Sequence, residues 1–235
     1  MNLRIAYTWG KSIDTGSATI AGDQFANSIS SLPLYDLRLV RGLSDFNIAQ
    51  TLSIRATYEP PAPGFLRRHP YLSHWRVNAT IQHSTGAPFT PVIGGDPLGT
   101  RSTDPYDVPD RNATQDCANP VNQGNPTHYL RLACFAFPQP STRLGNLARN
   151  SIVGPALSNL DLSVFKDTFI KRISETFDVQ VRVEAFNVLN HANFAPPLNH
   201  RALYGGTGAP VPGAGLIDST ATPSRQTQLG LKILW

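Results

Sequence analysis

Asp14, Thr15, Gly16 and Ser17 spell DTGS, a sequence that does acid–base chemistry when two copies bring two carboxylates close enough to share one proton. Here there is one copy, preceded by Lys11 and Ser12 in place of an apolar core strand, so catalysis is not expected from it. Cys117 and Cys134 are the chain's 2 cysteines, set in a stretch rich in Asn, Pro and Asp. A disulfide is the simplest reading, and closing a loop of this length would stabilise by roughly 3 kcal/mol. A zinc site would need more ligands than the nearby His128, and no C-x-x-C pair is present. Asn187, Asn190, His191 and Asn193 form a second polar cluster, which reads either as ligand contact or as a turn and cap. Gly205, Gly206 and Gly208 do not make a phosphate cradle, because Pro210 and Pro212 follow and no strand-to-helix context surrounds them. No G-x-S-x-G or H-E-x-x-H occurs. No catalytic residue, metal or cofactor is therefore expected, and the chain does not read as an enzyme.

The elements that would position these groups are strands. The last eleven residues alternate strictly, with Leu229, Leu231, Ile233 and Trp235 on one face and Gln226, Gln228, Gly230 and Lys232 on the other. Period two separates the faces of a strand, and a membrane barrel needs that separation because lipid wets its outside and water or a plug its inside. The same alternation runs through residues 2–11, 46–58, 74–86, 157–167, 175–190 and 225–235. Leu3, Ile5, Tyr7 and Trp9 alternate in the first. Trp75, Val77, Ala79 and Ile81 do so in the third, and Phe177, Val179, Val181 and Val183 in the fifth. Segments of about ten residues suit a tilted crossing of the hydrocarbon layer.

Six strands leave three long connections, 12–45, 87–156 and 191–224, alternating with the shorter 59–73 and 168–174. Outer-membrane barrels show this asymmetry, with short turns inside and elaborated loops outside. Charged residues make up only 15% of the chain while Gly and Pro number 18 and 20, which suits a β protein with long loops. No run of eighteen apolar residues is present, so no helix spans a bilayer and the membrane reading rests on strands. The N-terminus lacks the basic segment, apolar core and cleavage site of a secretory signal, and Met1 falls inside a strand pattern. The expectation is a chain cut from a longer polypeptide or begun at a misplaced start. The net charge of +4 is mild and its arginines are scattered, so nucleic-acid binding is not expected. Asp161, Arg182 and Glu184 should face the barrel interior, and Gly145, Asn146, Arg149, Asn150, Gly154 and Pro155 should form the turn re-entering the fourth strand.

Five blocks carry a resemblance: YTWGKSID at 7–14, LSDFN at 43–47, STGAPFTP at 84–91, LGNLARNSIVGPALSNLDLSVFK at 144–166 and VRVEAFNVLNHANF at 181–194. In order, they resemble the C-terminal barrel of TonB-dependent receptors, and more narrowly the Oar-like group of acidobacteria, in which a carboxypeptidase-regulatory-like domain precedes plug and barrel. The resemblance implies a barrel of about 22 strands with a plugged lumen, in the outer membrane of a Gram-negative bacterium, taking up a scarce ligand through TonB. It also implies a terminal strand, carrying Leu229, Leu231, Ile233 and Trp235, that the barrel-assembly machinery recognises. No TonB box, plug or remaining barrel strands occur here, so their partners would be the missing N-terminal barrel and plug, outer-membrane lipid, and TonB through the full receptor. Ligand contact is expected from the loop holding Cys117 and Cys134 and from the mouth near Asn187. Two other readings are a small oligomeric barrel, since six strands fall below the usual minimum of about eight, and a soluble β-sandwich for binding or adhesion.

Overall fold

The computed structural model describes residues 1–17, 25–29, 36–61, 73–99, 107–112, 114–174 and 176–235. Six strands form one antiparallel sheet in chain order: β1 (Asn2–Trp9), β2 (Gln50–Tyr58), β3 (Trp75–Ser84), β4 (Leu157–Phe169), β5 (Asp178–Phe186) and β6 (Gln226–Leu234). The chain is thus all-β, an antiparallel transmembrane β-barrel segment. Each strand pairs with its sequence neighbour, so the three long connections leave from one end of the sheet and the two shorter ones from the other. β1 and β6 each pair along one side only among the described residues.

Strand limits differ from the alternation at several ends. Phe46 and Ile48 carry the parity of β2, yet the strand begins at Gln50. The Asn47 N–H donates to the Ser44 carbonyl at 2.9 Å and its side chain accepts the Ser12 N–H at 2.8 Å, which turns residues 44–47 away from the ladder. β5 begins at Asp178 instead of 175 and ends at Phe186, because Asn187 takes φ 48° and turns the chain. β4 continues to Phe169, two residues past its expected end. The terminal positions of 2–11, 74–86 and 225–235 likewise lie outside the ladder.

The hydrophobic core lies outside this sheet. Phe89, Val108, Leu130, Cys134, Ile152 and Leu203 are all at most 2% exposed, and every residue of the buried apolar cluster belongs to the long connections. Short ladders fold those connections back on themselves, and one joins two of them. Ile13–Asp14 pairs with Gly42–Leu43, and Pro88–Phe89 with Ile152–Val153. Asp110–Arg111 pairs with Phe135–Ala136, while Val92–Ile93 runs parallel to Ala202–Tyr204. A Cβ on Gly86 would stand 2.0 Å from the Gly154 carbonyl oxygen, and one on Gly145 2.0 Å from that of Val108, so glycine is what lets these backbones touch. The loops therefore fold into a body of their own on one end of the sheet. Cys117 and Cys134 are joined there by a disulfide, with Cα atoms 5.3 Å apart.

Candidate functional site

The register sorts the side chains of the sheet into two faces. One cross-strand row reads Ile5, Ile54, Ile81 and Leu160; another reads Tyr58, Val77, Val164, Val183 and Leu229. This face is open to its surroundings: Ile5 is 61% exposed, Leu229 78% and Leu231 68%. Apolar rows of this extent on a soluble surface would drive association, whereas hydrocarbon covers them without a protein partner. Nine residues of β2 rise about 30 Å, which at barrel tilt matches an apolar band about 25 Å tall. Trp9 lies on this face at the loop end, and Tyr58, Trp75 and Trp235 at the other end, so aromatic rings bracket the band.

Lys166 is the one charged strand residue on the apolar face. It sits at the short-turn end beside Trp75, where its Nζ donates to the carbonyls of Ser73 and Asp167 at 2.6 and 2.8 Å. Its ammonium stands 5.9 Å from the centre of the Trp75 ring, so the stem crosses the apolar edge while the head reaches polar atoms. Every other charge of the six strands lies on the opposite face. Arg182 stands 3.6 Å from Glu184, whose carboxylate accepts from Gln228 at 2.5 Å. Arg76 lies 3.6 Å from Asp167, and Asp161 accepts the Asn187 N–H at 2.9 Å and the Asn159 amide at 2.8 Å. Asp161, Arg182 and Glu184 thus share the polar face. Gly230 leaves room there for Arg182, whose Nε would otherwise stand 2.4 Å from a Cβ.

Asn187, Asn190, His191 and Asn193 come together at the loop end of β5, and most of their polar groups are engaged within the chain. The Asn187 amide donates to the carbonyls of His191 and Pro223, and its oxygen accepts the His191 N–H at 2.9 Å. Asn190 accepts the Arg225 N–H at 3.0 Å. Asn193, 1% exposed, accepts the Ser158 N–H at 2.7 Å and donates to Thr222 at 2.9 Å. Asn187 and Asn190 both take positive φ, a backbone that asparagine tolerates well. The cluster ties β4, β5 and the approach to β6 into one joint. Beside it a cavity of about 310 Å³ opens on the polar face, lined by Asn159, Asp161, Phe186 and Gln226 among others.

Arg149 has a role that its neighbours' turn-forming types concealed. It does not merely sit in a turn: its side chain is 3% exposed and binds Asp45 at 2.8 Å, the Val40 carbonyl at 2.8 Å and the Asp14 carboxylate. Asn150 adds bonds to the Leu43 carbonyl and Asp45, and Asn27 donates to the carbonyls of Asp45 and Pro88. Burial pushes the Asp14 carboxyl up, but hydrogen bonds from Ser17 and Ser44 and the Arg149 charge outweigh it and hold it below the usual carboxylate range. The DTGS segment therefore helps fasten one long connection to another. The signal in the sequence was only a lone Arg among turn formers, with its partners more than a hundred residues away.

Among the described residues no group of three or more His, Cys, Asp or Glu side chains is placed to hold a metal. Comparison with curated proteins and with solved structures gave no match. A family model described as an outer membrane beta barrel domain matches residues 1–228, which takes in β1 to β5, the start of β6 and all three long connections. Two-faced strands and family model agree on a domain of the outer membrane, and the chain belongs to the outer membrane β-barrel family.

Proposed function

We propose that the chain is the C-terminal part of a TonB-dependent outer-membrane receptor, of Oar-like type, in a Gram-negative bacterium. It supplies barrel wall and folded extracellular loops for uptake of a ligand, and crosses the membrane several times through its strands. The observation that carries this reading is the six-stranded, two-faced meander whose outer edges at β1 and β6 are unpaired among the described residues, since a transmembrane sheet must close to leave no edge in lipid. The remaining strands and a plug would come from the rest of the receptor, and TonB would act through that plug. Outer-membrane lipid covers the apolar rows. Leu229, Leu231, Ile233 and Trp235 offer the barrel-assembly machinery an apolar, aromatic-ended strand. In this reading the chain performs no catalysis. The polar face and the cavity beside Asn187 line the route a ligand would take.

The native size of the polypeptide tests this. Outer membranes probed with an antibody against residues 205–215 should give a band far above 25.6 kDa. A band at 25.6 kDa that shifts on heating in detergent would overturn the receptor reading and favour pairing of the open edges between copies of a small barrel. The same polypeptide in the soluble fraction without detergent would return the sheet to a sandwich.

A further inference from the structure

We propose that the cavity between β4, β5 and the approach to β6 binds an organic cation with N–H donors, an ammonium or a guanidinium, on the carboxylate of Asp161. Asp161 stands on the polar face near the loop end of β4 and lines this cavity of about 310 Å³. Its Oδ1 is held by the chain, accepting the Asn187 N–H at 2.9 Å and the Asn159 amide at 2.8 Å. Its Oδ2 takes no hydrogen bond among the described residues, and no described Arg, Lys or His forms an ion pair with it. On the same face Glu184 and Asp167 each have an arginine 3.6 Å away. Along the row of Asp161 the first cation is Arg55, two strands off beyond Thr80, a backbone spacing of roughly 10 Å.

The rest of the lining shares this preference. Asn159 turns its amide nitrogen to Asp161, which fixes its Oδ1 as an acceptor, and that oxygen is buried without a partner. Phe186, 38% exposed on the polar side opposite Gln226, brings to the same cavity a ring whose face attracts cations. A guest with positive charge and several N–H donors answers the carboxylate, the amide oxygen and the ring together. Hydrogen bonds between such a cation and a carboxylate are the strong ones. An anion would meet the charge of Asp161, and an uncharged alcohol would leave that charge unanswered. A bare metal ion suits the cavity less well, since a calcium-like ion wants about six or more oxygens and no group of three described acids, histidines or thiols converges here. The inference rests on the receptor reading, which puts this cavity on a ligand's route and which the size of the native polypeptide decides separately.

The test is equilibrium dialysis of the native-length polypeptide in detergent, with empty micelles as the blank. The probes are butylammonium and butylguanidinium chloride, with 1-butanol and sodium butyrate as uncharged and anionic partners of the same chain. At least one of the two cations should bind, about tenfold or more tighter than butanol and butyrate. Asp161→Asn keeps the oxygen that accepts from Asn187 and should weaken the bound cation by about tenfold or more, leaving butanol unchanged. Gln226→Glu puts a second carboxylate in the cavity and should tighten the cation several-fold, a gain that misfolding cannot produce. Equal binding of all four probes, uptake of neither cation, or an unchanged affinity in Asp161→Asn would each overturn the site. If Asp161→Asn fails to fold, Gln226→Glu decides: tighter binding supports the site, and unchanged or weaker binding overturns it. The band size that tests the receptor reading is unaffected by any of these results.

Discussion

At the scale of single residues, Arg149 is the group whose loss should be felt most. Its 3% exposed side chain bridges Asp14 and Asp45, and removing one partner of a buried ion pair costs about 3–5 kcal/mol because the other charge stays buried. Arg149→Met should destabilise the loop body by about that amount, read as chemical unfolding followed by protease access to residues 36–49. The pH response should weaken as well. In wild type the Asp14 carboxyl titrates below its ordinary value of 3.8, so its contribution is present above that pH and is lost as pH falls through the lower folded value. In Arg149→Met the Asp14 carboxyl keeps the hydrogen bonds from Ser17 and Ser44 but loses the Arg149 charge, so the variant should lose less stability on acidification than wild type; an equal loss would show that Arg149 does not help to hold Asp14 ionised. Tyr129 offers a smaller case. Burial pushes its hydroxyl up to about 12, and it donates to the Val153 carbonyl at 3.0 Å. Tyr129→Phe should cost about 1 kcal/mol in the same unfolding measurement.

At the scale of elements, the two faces of the sheet make opposite predictions for the same new charge. Val164 stands in the middle of the apolar rows, between Val77 and Val183. Val164→Arg should cost about 2–4 kcal/mol for folding into lipid vesicles, whereas Ser163→Arg on the polar face, opposite Glu184, should change stability by less than about 1 kcal/mol. Equal costs would mean that lipid does not cover the Val164 face. The disulfide makes a third prediction, confined to the loops. It closes a separation of 17 residues, so Cys117→Ser with Cys134→Ser should lower loop-body stability by about 3 kcal/mol while the strands still insert. Strands were legible in the sequence because period two survives at every crossing, from Leu3 to Ile233. Their ends were less so, since Phe46 keeps the parity while a hydrogen bond from Asn47 to Ser44 has already turned the chain. The loop core was not legible at all: Phe89, Leu130, Ile152 and Leu203 are scattered among Pro, Gly and Asn without a period, and only tertiary pairing brings them together. Arg149 was hidden for the same reason. The cluster at Asn187 was visible as a polar joint, but only geometry shows its amides bonded mostly to the chain itself.

At the scale of the whole molecule, the sheet and the loop body obey different solvents. Buried apolar side chains stabilise the loops in the manner of a small globular domain, while the strands expose Leu, Ile and Val and keep every charge but that of Lys166 on the other face. Such a sheet persists only where hydrocarbon replaces water on one side, and there no backbone N–H or C=O can be left without a partner. In the proposed receptor the outer edges of β1 and β6, unpaired among the described residues, meet further strands in the native membrane. Hydrogen exchange of the membrane-embedded polypeptide measures this directly. Amides of Asn2–Trp9 and Gln226–Leu234 that point away from β2 and β5 should exchange as slowly as those inside the β3–β4 ladder, because closure gives each of them a carbonyl. Fast exchange at both edges beside slow exchange at β3 and β4 would mean the sheet stays open, and barrel closure would then fail as the account of how this chain occupies a membrane.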